Sequence, residues 1–171
     1  MFIAGVLVGL LVLFPLGLYL YVRSGFLSLA TTAHPLPFEE YLAHTALRES
    51  IGNAKTQQDP LPLNDDNLLA GANEYREHCA FCHGLPGQPK SLISTGMFPV
   101  PPQLFEGHDM VANDPEGSTF WKISNGVRLS GMPRFDTVPE NTRWQVTMLL
   151  KHADKLPPAV QTALQQPLVL R

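Results

Sequence analysis

The sequence has very few cysteines and no excess of positive charge, and each shortage excludes a class of protein. Only 2 of its 171 residues are cysteine, which is too few for a disulfide framework. Its 12 basic residues are outnumbered by 15 acidic ones, whereas a nucleic-acid-binding domain normally carries a strong basic excess. The sequence also shows no internal repeat of the period that solenoid proteins have. We therefore expect no disulfide scaffold, no nucleic-acid partner and no repeat architecture.

A long hydrophobic segment lies at the N-terminus, where residues 2–22 carry no charged side chain. As an α-helix such a segment is about 30 Å long, which is enough to cross the core of a bilayer. Tyr19 and Tyr21 near its end suit a membrane interface. We therefore predict a transmembrane anchor over residues 1–23. The alternative is a cleavable signal peptide with its cleavage site near Ala30, although no lysine or arginine precedes the hydrophobic run.

Residues 24–66 are predicted to form a connector that contains one short amphipathic helix. The helix is expected to begin near Pro37, because proline is favourable in a first turn, and to end at Gly52. The stretch over residues 56–63 contains two prolines and is predicted to be a linker. The apolar face of the helix would pack on the following domain or, alternatively, meet a membrane partner; it comprises Phe38, Tyr41, Leu42, Ala46 and Leu47.

Both cysteines lie in one short motif, Cys79-Ala80-Phe81-Cys82-His83, whose C-x-x-C-H pattern is the signature of covalent c-type haem attachment. Thiols three residues apart lie on nearly the same side of a helical turn, so they can add to the two vinyl groups of one porphyrin. The histidine follows at once, and its imidazole can reach the iron from the proximal side. The motif therefore predicts one covalent haem c, with thioethers at Cys79 and Cys82 and His83 as an iron ligand.

Other uses of a cysteine pair fit the sequence less well. A structural zinc site would need a second pair of cysteine or histidine ligands at suitable spacing, which the sequence does not offer. A thioredoxin-like motif would need a strand–helix–strand context, which the residues flanking the cysteines lack. A local disulfide between Cys79 and Cys82 would leave the adjacent His83 without an explanation.

Residues 67–157 resemble a class I c-type cytochrome of the small bacterial monohaem kind, with a domain like that of cbb3-type subunit III. The resemblance implies an all-α cytochrome c fold, with three to four helices around one covalently bound haem. It covers four stretches: Gly71 and Tyr75 before the haem motif, the proline-rich residues 96–104, residues 125–135, and a last helix from about Pro139 to Pro157 that contains Trp144.

The resemblance also implies how these helices pack. Gly71 and Tyr75 on the first helix would pack against the last helix, and residues 65–67 would cap the first helix. The last helix would bury Trp144, Met148 and Leu149, although the family usually has an aromatic residue at the position of Leu149. The middle helix, residues 118–124, would be capped by Ser118 or Asp114; its Phe120, Trp121 and Ile123 would pack on haem, unless Trp121 meets a propionate instead.

The distal iron ligand implied by the resemblance is Met132, in the run N-G-V-R-L-S-G-M-P-R-F over residues 125–135. A thioether is a soft, neutral donor that stabilises ferrous iron. The alternatives are that Met132 fills the core, or that the ligand is Met97, Met110 or His108. In the proline-rich stretch, the carbonyl of Pro99 or Pro101 is the candidate acceptor for a hydrogen bond from His83.

These features predict a membrane-anchored electron carrier rather than an enzyme. Because both axial positions of the haem are filled, we expect no small-molecule substrate. The expected partners are redox proteins. The protein would serve them either as a shuttle between membrane complexes or as a subunit of one respiratory complex. Positive charges at Lys122, Arg128 and Arg134 would steer an acidic partner, or would simply be solvated. The alternative function is a haem catalyst or a gas or peroxide sensor in which Met132 dissociates.

The expected location follows from the cofactor. Covalent haem attachment takes place outside the cytoplasmic membrane in bacteria, so the haem domain is expected on the periplasmic, outer side of the inner membrane. The N-terminal helix would then span that membrane once. No role is predicted for the tail, residues 158–171.

Overall fold

The computed structural model of the protein describes residues 2–106 and 111–166, with side chains from residue 8 onward. Within these ranges the regular elements are helices, in agreement with the predicted all-α class. The β-type pairing in this part of the chain is a single antiparallel bridge between Val127 and Met132. The chain divides into two compact units, Met1–Pro35 and Leu36–Arg171.

The N-terminal unit is built on one helix, α1 (Phe2–Arg23), which includes Pro15. The large apolar side chains of residues 8–22 are all exposed. At the end of the helix, Arg23 donates a hydrogen bond to the hydroxyl of Tyr19 at 3.3 Å. In the described part of the chain, no helix is found that is both long and apolar enough to cross a membrane, so the predicted transmembrane anchor is not supported.

The second unit contains the haem motif and the remaining described helices. The described part of this unit also contains two short 3₁₀ helices, Gly52–Thr56 and Val111–Asn113. The α-helices of this unit are α2 (Glu39–Ile51), α3 (Asp65–His78), α4 (Ala80–His83), α5 (Leu92–Gly96), α6 (Glu116–Asn125), α7 (Glu140–Lys151) and α8 (Pro158–Gln165).

Helices α3 and α7 pack closely and form the centre of the core. At Gly71 of α3, a Cβ atom would lie 2.6 Å from the carbonyl carbon of Gln145 in α7, so only glycine permits this approach. Helix α7 buries Trp144, Met148 and Leu149. The predicted glycine contact and the predicted apolar stripe of the last helix are both confirmed.

The C-terminal tail packs against α3, a role that the sequence did not predict. Helix α8 begins at Pro158 and contacts α3. Its buried side chains are Val160, Ala163 and Leu164, whose spacing is that of one helix face. The tail is therefore part of the core as far as residue 166, and residues 167–171 lie outside the described residues.

The end of the predicted connector packs on the domain and is not a free linker. The 3₁₀ helix Gly52–Thr56 contacts α6, where a Cβ atom at Gly117 would lie 2.9 Å from the carbonyl oxygen of Gln57. The backbone N–H of Asp59 donates a hydrogen bond to the carboxylate of Glu116 at 3.0 Å. These contacts bind residues 52–59 to the first turn of α6.

Helix α2 differs from the prediction in its start and in its buried face. It begins at Glu39, after Phe38 in a left-handed conformation, rather than near Pro37. Phe38, Tyr41 and Leu42 are exposed, and the buried residue of the helix is Ile51 at its end. Of the predicted apolar face, only Leu47 is half-buried, so most of that face does not pack on the following domain, although α2 contacts α6.

Two helix caps also differ from the predictions. Helix α3 is capped by Asn64, whose side-chain oxygen accepts a hydrogen bond from the N–H of Asn67 at 2.8 Å. Helix α6 begins directly after Pro115 and has no side-chain cap, so neither Ser118 nor Asp114 has the predicted role. The fixed φ of proline suits the start of a helix without such a cap.

Candidate cofactor site

The two cysteines lie on one helical turn at the junction of α3 and α4. The backbone N–H groups of Cys82 and His83 both donate to the carbonyl of Cys79, at 3.1 and 2.9 Å. Both thiols are free, and both side chains are half-buried. The turn therefore holds two thiols and an imidazole within five consecutive residues, as the haem motif requires.

The environment of Cys79 disfavours chemistry that needs a thiolate. Burial, and then the negative charge of Glu74, raise the pKa of Cys79 to about 12. A thiol with so high a pKa is a poor nucleophile in disulfide exchange. In addition, the described residues contain no cluster of three or more His, Cys, Asp and Glu side chains that could hold a metal ion. Neither the zinc site nor the thioredoxin-like motif gains support.

The imidazole of His83 is oriented by a backbone carbonyl. Its Nδ1 lies 2.9 Å from the carbonyl oxygen of Pro102. A carbonyl can only accept, so Nδ1 is the donor and carries the proton, which leaves Nε2 free to bind a metal. Burial lowers the pKa of His83 and so favours the neutral ring that binds metals. The prediction of a carbonyl from the proline-rich stretch is confirmed, but the residue is Pro102 rather than Pro99 or Pro101.

The turn after His83 is fastened to the helical core. Tyr75 of α3 is fully buried, and its hydroxyl donates a hydrogen bond to the carbonyl of Gly84 at 2.8 Å. The rings of Tyr75 and Phe105 also pack edge to face, with 5.0 Å between their centroids. From the other side, the amide of Gln103 donates to the carbonyl of Leu85 at 3.2 Å. These contacts position the haem motif between α3 and the proline-rich stretch.

Met132 lies in a tight loop whose backbone is closed by Ser130. The hydroxyl of Ser130 donates to the carbonyl of Val127 at 2.7 Å and accepts from the N–H of Met132 at 3.2 Å. The N–H of Val127 donates to the carbonyl of Met132 at 3.2 Å. Gly131 has φ +78°, a conformation that glycine adopts without strain. The loop therefore holds a half-buried thioether without the support of a helix.

Both parts of the site lie next to Ile123 of α6. The backbone N–H of Phe135, three residues after Met132, donates to the carbonyl of Ile123 in α6 at 3.0 Å. Cys79, Ile123 and Phe135 line the same small cavity. The structure thus brings the cysteine turn and the end of the Met132 loop together through Ile123 and Phe135.

The structure also shows the surroundings of Phe120 in α6 and of one alternative distal ligand. Phe120 stacks on Trp144 of α7 at 3.9 Å between ring centroids, so one face of its ring packs on protein. Among the rival ligands, Met97 is half-buried and packs against Gly131. His108 and Met110 lie outside the described residues.

Two residues that matter for this geometry were not predicted. Pro102 was missed because several carbonyls in the proline-rich stretch were equally plausible from the sequence. Ser130 was missed although a signal was present, because a serine two residues before a constrained position often makes hydrogen bonds with the local backbone.

The side chains fit a c-type haem site. The predicted donors are the thiols of Cys79 and Cys82, the Nε2 of His83 that the Pro102 hydrogen bond leaves free, and the thioether of Met132 in its hydrogen-bonded loop. This set matches the known chemistry of haem c, in which cysteines attach the porphyrin and His and Met bind the iron. It matches neither a structural zinc site nor a disulfide-exchange motif.

Comparison with known families agrees with this class of site. Residues 66–148 match the family model described as cytochrome C oxidase, cbb3-type, subunit III. The match supports a cytochrome c domain in this part of the chain, and such a domain implies haem c binding and haem-based electron transfer. A comparison with curated proteins gives no match.

Proposed function

We propose that the protein is a monohaem cytochrome c that passes single electrons between redox proteins. The observation that carries the proposal is the haem-motif turn, where two free thiols precede an imidazole whose Nδ1 is bound by the Pro102 carbonyl. Cys79 and Cys82 would attach the haem, and His83 and Met132 would bind its iron. When bound, the haem supplies a one-electron couple.

The protein's own residues favour electron transfer over catalysis. Pro102 holds the ring of His83, and Ser130 holds the backbone beside Met132. Ligands held in this way change little between two oxidation states. If both residues bind the iron, no position would remain open for a substrate. We therefore propose an electron carrier in preference to a haem catalyst or sensor.

The proposed partners are proteins of a respiratory complex. Support comes from the matched family model, whose description names a subunit of a cbb3-type oxidase. The predicted positive rim has less support, because two of its three cations have partners within the chain. Lys122 lies 3.0 Å from Asp114, and Arg134 lies 3.3 Å from Asp136.

We also propose that the haem domain works outside the cytoplasm, at a membrane. Covalent haem attachment on that side of the bacterial inner membrane supports the location. Attachment by α1 is supported only by its exposed apolar side chains over residues 8–22, since no described helix meets the length and hydropathy needed to span a membrane. Washing isolated membranes with alkaline carbonate would test it, and intact-mass measurement would show whether α1 remains in the mature protein.

Haem attachment is tested by replacing the cysteines in a host that attaches haem c to exported proteins. We expect Cys79→Ala combined with Cys82→Ala to abolish the mass increment of one haem and the visible spectrum. Phe81→Leu is the matched control, because it changes a half-exposed residue between the thiols and leaves both in place. A colourless wild-type protein after export, or a coloured double variant after denaturation, would contradict the proposal.

The choice between carrier and sensor is tested by ligand binding. We expect the reduced wild-type protein to bind carbon monoxide slowly and weakly, because Met132 must first leave the iron. Met132→Ala should bind it readily and should change the absorption spectrum. Rapid binding by the wild type would favour the sensor.

A further inference from the structure

Met97 packs directly against the loop that carries Met132. A Cβ atom built on Gly131 would lie 2.6 Å from the terminal methyl carbon of Met97. The side chain of Met97 therefore occupies the space that any larger residue at position 131 would need. Methionine suits such a place because its flexible thioether fills irregular gaps.

The segment that begins with Met97 contacts one predicted iron ligand and the neighbour of the other. At one end, Met97 follows α5 and contacts Gly131, the residue directly before Met132. At the other end, the carbonyl of Pro102 accepts the hydrogen bond from His83. Residues 97–102 therefore contact the surroundings of the distal ligand and hold the proximal one.

The Met132 loop is fastened to α6 at its end, where the N–H of Phe135 donates to the carbonyl of Ile123, but its tip has little packing. Leu129, at the tip of the loop, has φ +64°. Its side chain is 91% exposed and therefore adds almost no packing. The hydrogen bonds of Ser130 close the loop on itself and do not fasten it to another element. The contact with Met97 comes from a distant part of the sequence and can fix where the closed loop lies.

We infer that Met97 is a positioning residue for the distal ligand. Its side chain packs on Gly131 and would hold the loop in the position in which the sulfur of Met132 can serve as an iron ligand. This role rests on the proposed function, since it requires that Met132 binds haem iron. Loss of the contact should loosen the loop and let small ligands displace Met132 more easily.

The test compares two substitutions of Met97 in the haem-loaded protein. Met97→Ala removes the packing, whereas Met97→Leu removes the sulfur and keeps an apolar side chain of similar volume. We expect the alanine variant to bind imidazole about tenfold more tightly in the ferric state, at a nearly unchanged melting temperature. It should also lose intensity in the weak red absorption band of methionine-ligated haem. The leucine variant should behave almost like the wild type.

Leu92→Ala is the control, because this side chain is 92% exposed and lies on the adjacent helix α5. It should leave imidazole binding unchanged. If the alanine variant does not fold, Met97→Val, which is also shorter, should show the same change to a smaller extent.

Three results overturn or redirect the inference. Wild-type imidazole affinity in both Met97→Ala and Met97→Val would overturn it. Loss of the red band in the leucine variant as well would show that Met97 is itself the iron ligand, which also overturns a positioning role. An unchanged spectrum in Met132→Ala would instead refute the proposed ligation by Met132, independently of Met97.

Discussion

The helical framework of the second unit and the loops that carry its predicted iron ligands are stabilised by different means. In the framework, Tyr75 and Leu149 are fully buried, and α3 meets α7 at a glycine. In the loops, Met132 is only half-buried and the backbone is held by single hydrogen bonds such as that of Ser130. The framework should therefore be sensitive to added volume, and the loops to the loss of particular polar or packing contacts.

The largest effect is expected where the framework is tightest. Gly71→Ala places a Cβ atom against the backbone of Gln145 and forces α3 and α7 apart. We expect the free energy of unfolding to fall by about 3 kcal/mol, measured by urea denaturation. Gly96→Ala is the control, because a Cβ atom there has no neighbour within 4 Å. Equal denaturation midpoints for the two variants would show that the helices do not depend on this close approach.

A smaller effect is expected where the framework meets the haem motif. Tyr75→Phe removes the hydrogen bond to the carbonyl of Gly84 and keeps the buried ring. Burial raises the pKa of Tyr75 well above its usual value, so the hydroxyl remains a donor at any ordinary pH. We expect a loss of about 1 kcal/mol in unfolding free energy.

Tyr41→Phe is the control for this variant, because Tyr41 is 67% exposed and should tolerate the change. If Tyr75→Phe is as stable as the wild type, the hydrogen bond from α3 does not help to hold the haem motif. The framework and the loops would then be stabilised more independently than this hydrogen bond indicates.

The smallest effect is expected at the connector, which is held to α6 by polar contacts. Burial, followed by the negative charge of Glu116, raises the pKa of Asp59. A carboxyl group with a raised folded-state pKa stabilises the fold below its unfolded pKa, and this contribution is lost as the pH rises through the folded value. Asp59→Asn keeps a side-chain oxygen that can accept the N–H of Leu61, which now donates to Asp59 at 2.8 Å.

We therefore expect Asp59→Asn to match the wild type in acid and to melt about 1 °C higher at neutral pH. Thermal unfolding followed at several pH values measures this difference. Asp154→Asn, at an exposed position, should show no such trend. A variant that is less stable than the wild type at neutral pH would mean that the carboxylate helps to hold the connector.

Features that depend on nearby residues were predictable from the sequence. The haem motif requires only the spacing of Cys79, Cys82 and His83 along one turn, and the structure forms that turn. The apolar stripe of α7 and the need for glycine at position 71 follow from helix periodicity and from the family resemblance. Their positions relative to each other then follow from burying one face of each helix.

Features that depend on contacts between distant residues were harder to predict, because the sequence does not show which segments pack against each other. The tail that received no role supplies the buried face of α8, which packs on α3. Residues 56–63 look like a linker because of their prolines, yet the 3₁₀ helix before them and Asp59 bind to α6. Proline indicates a chain without regular structure, but it does not show whether that chain is free or packed.

The sequence by itself determined that this protein carries a C-x-x-C-H turn and amphipathic helices, because spacing and hydrophobic periodicity are local properties. The tertiary structure alone decided that Pro102 orients His83, that Met97 packs on Gly131, and that α8 completes the core. Each of these contacts joins residues far apart in the chain. Which distant atoms meet depends on how all the helices pack together, and that cannot be obtained from any single stretch of sequence.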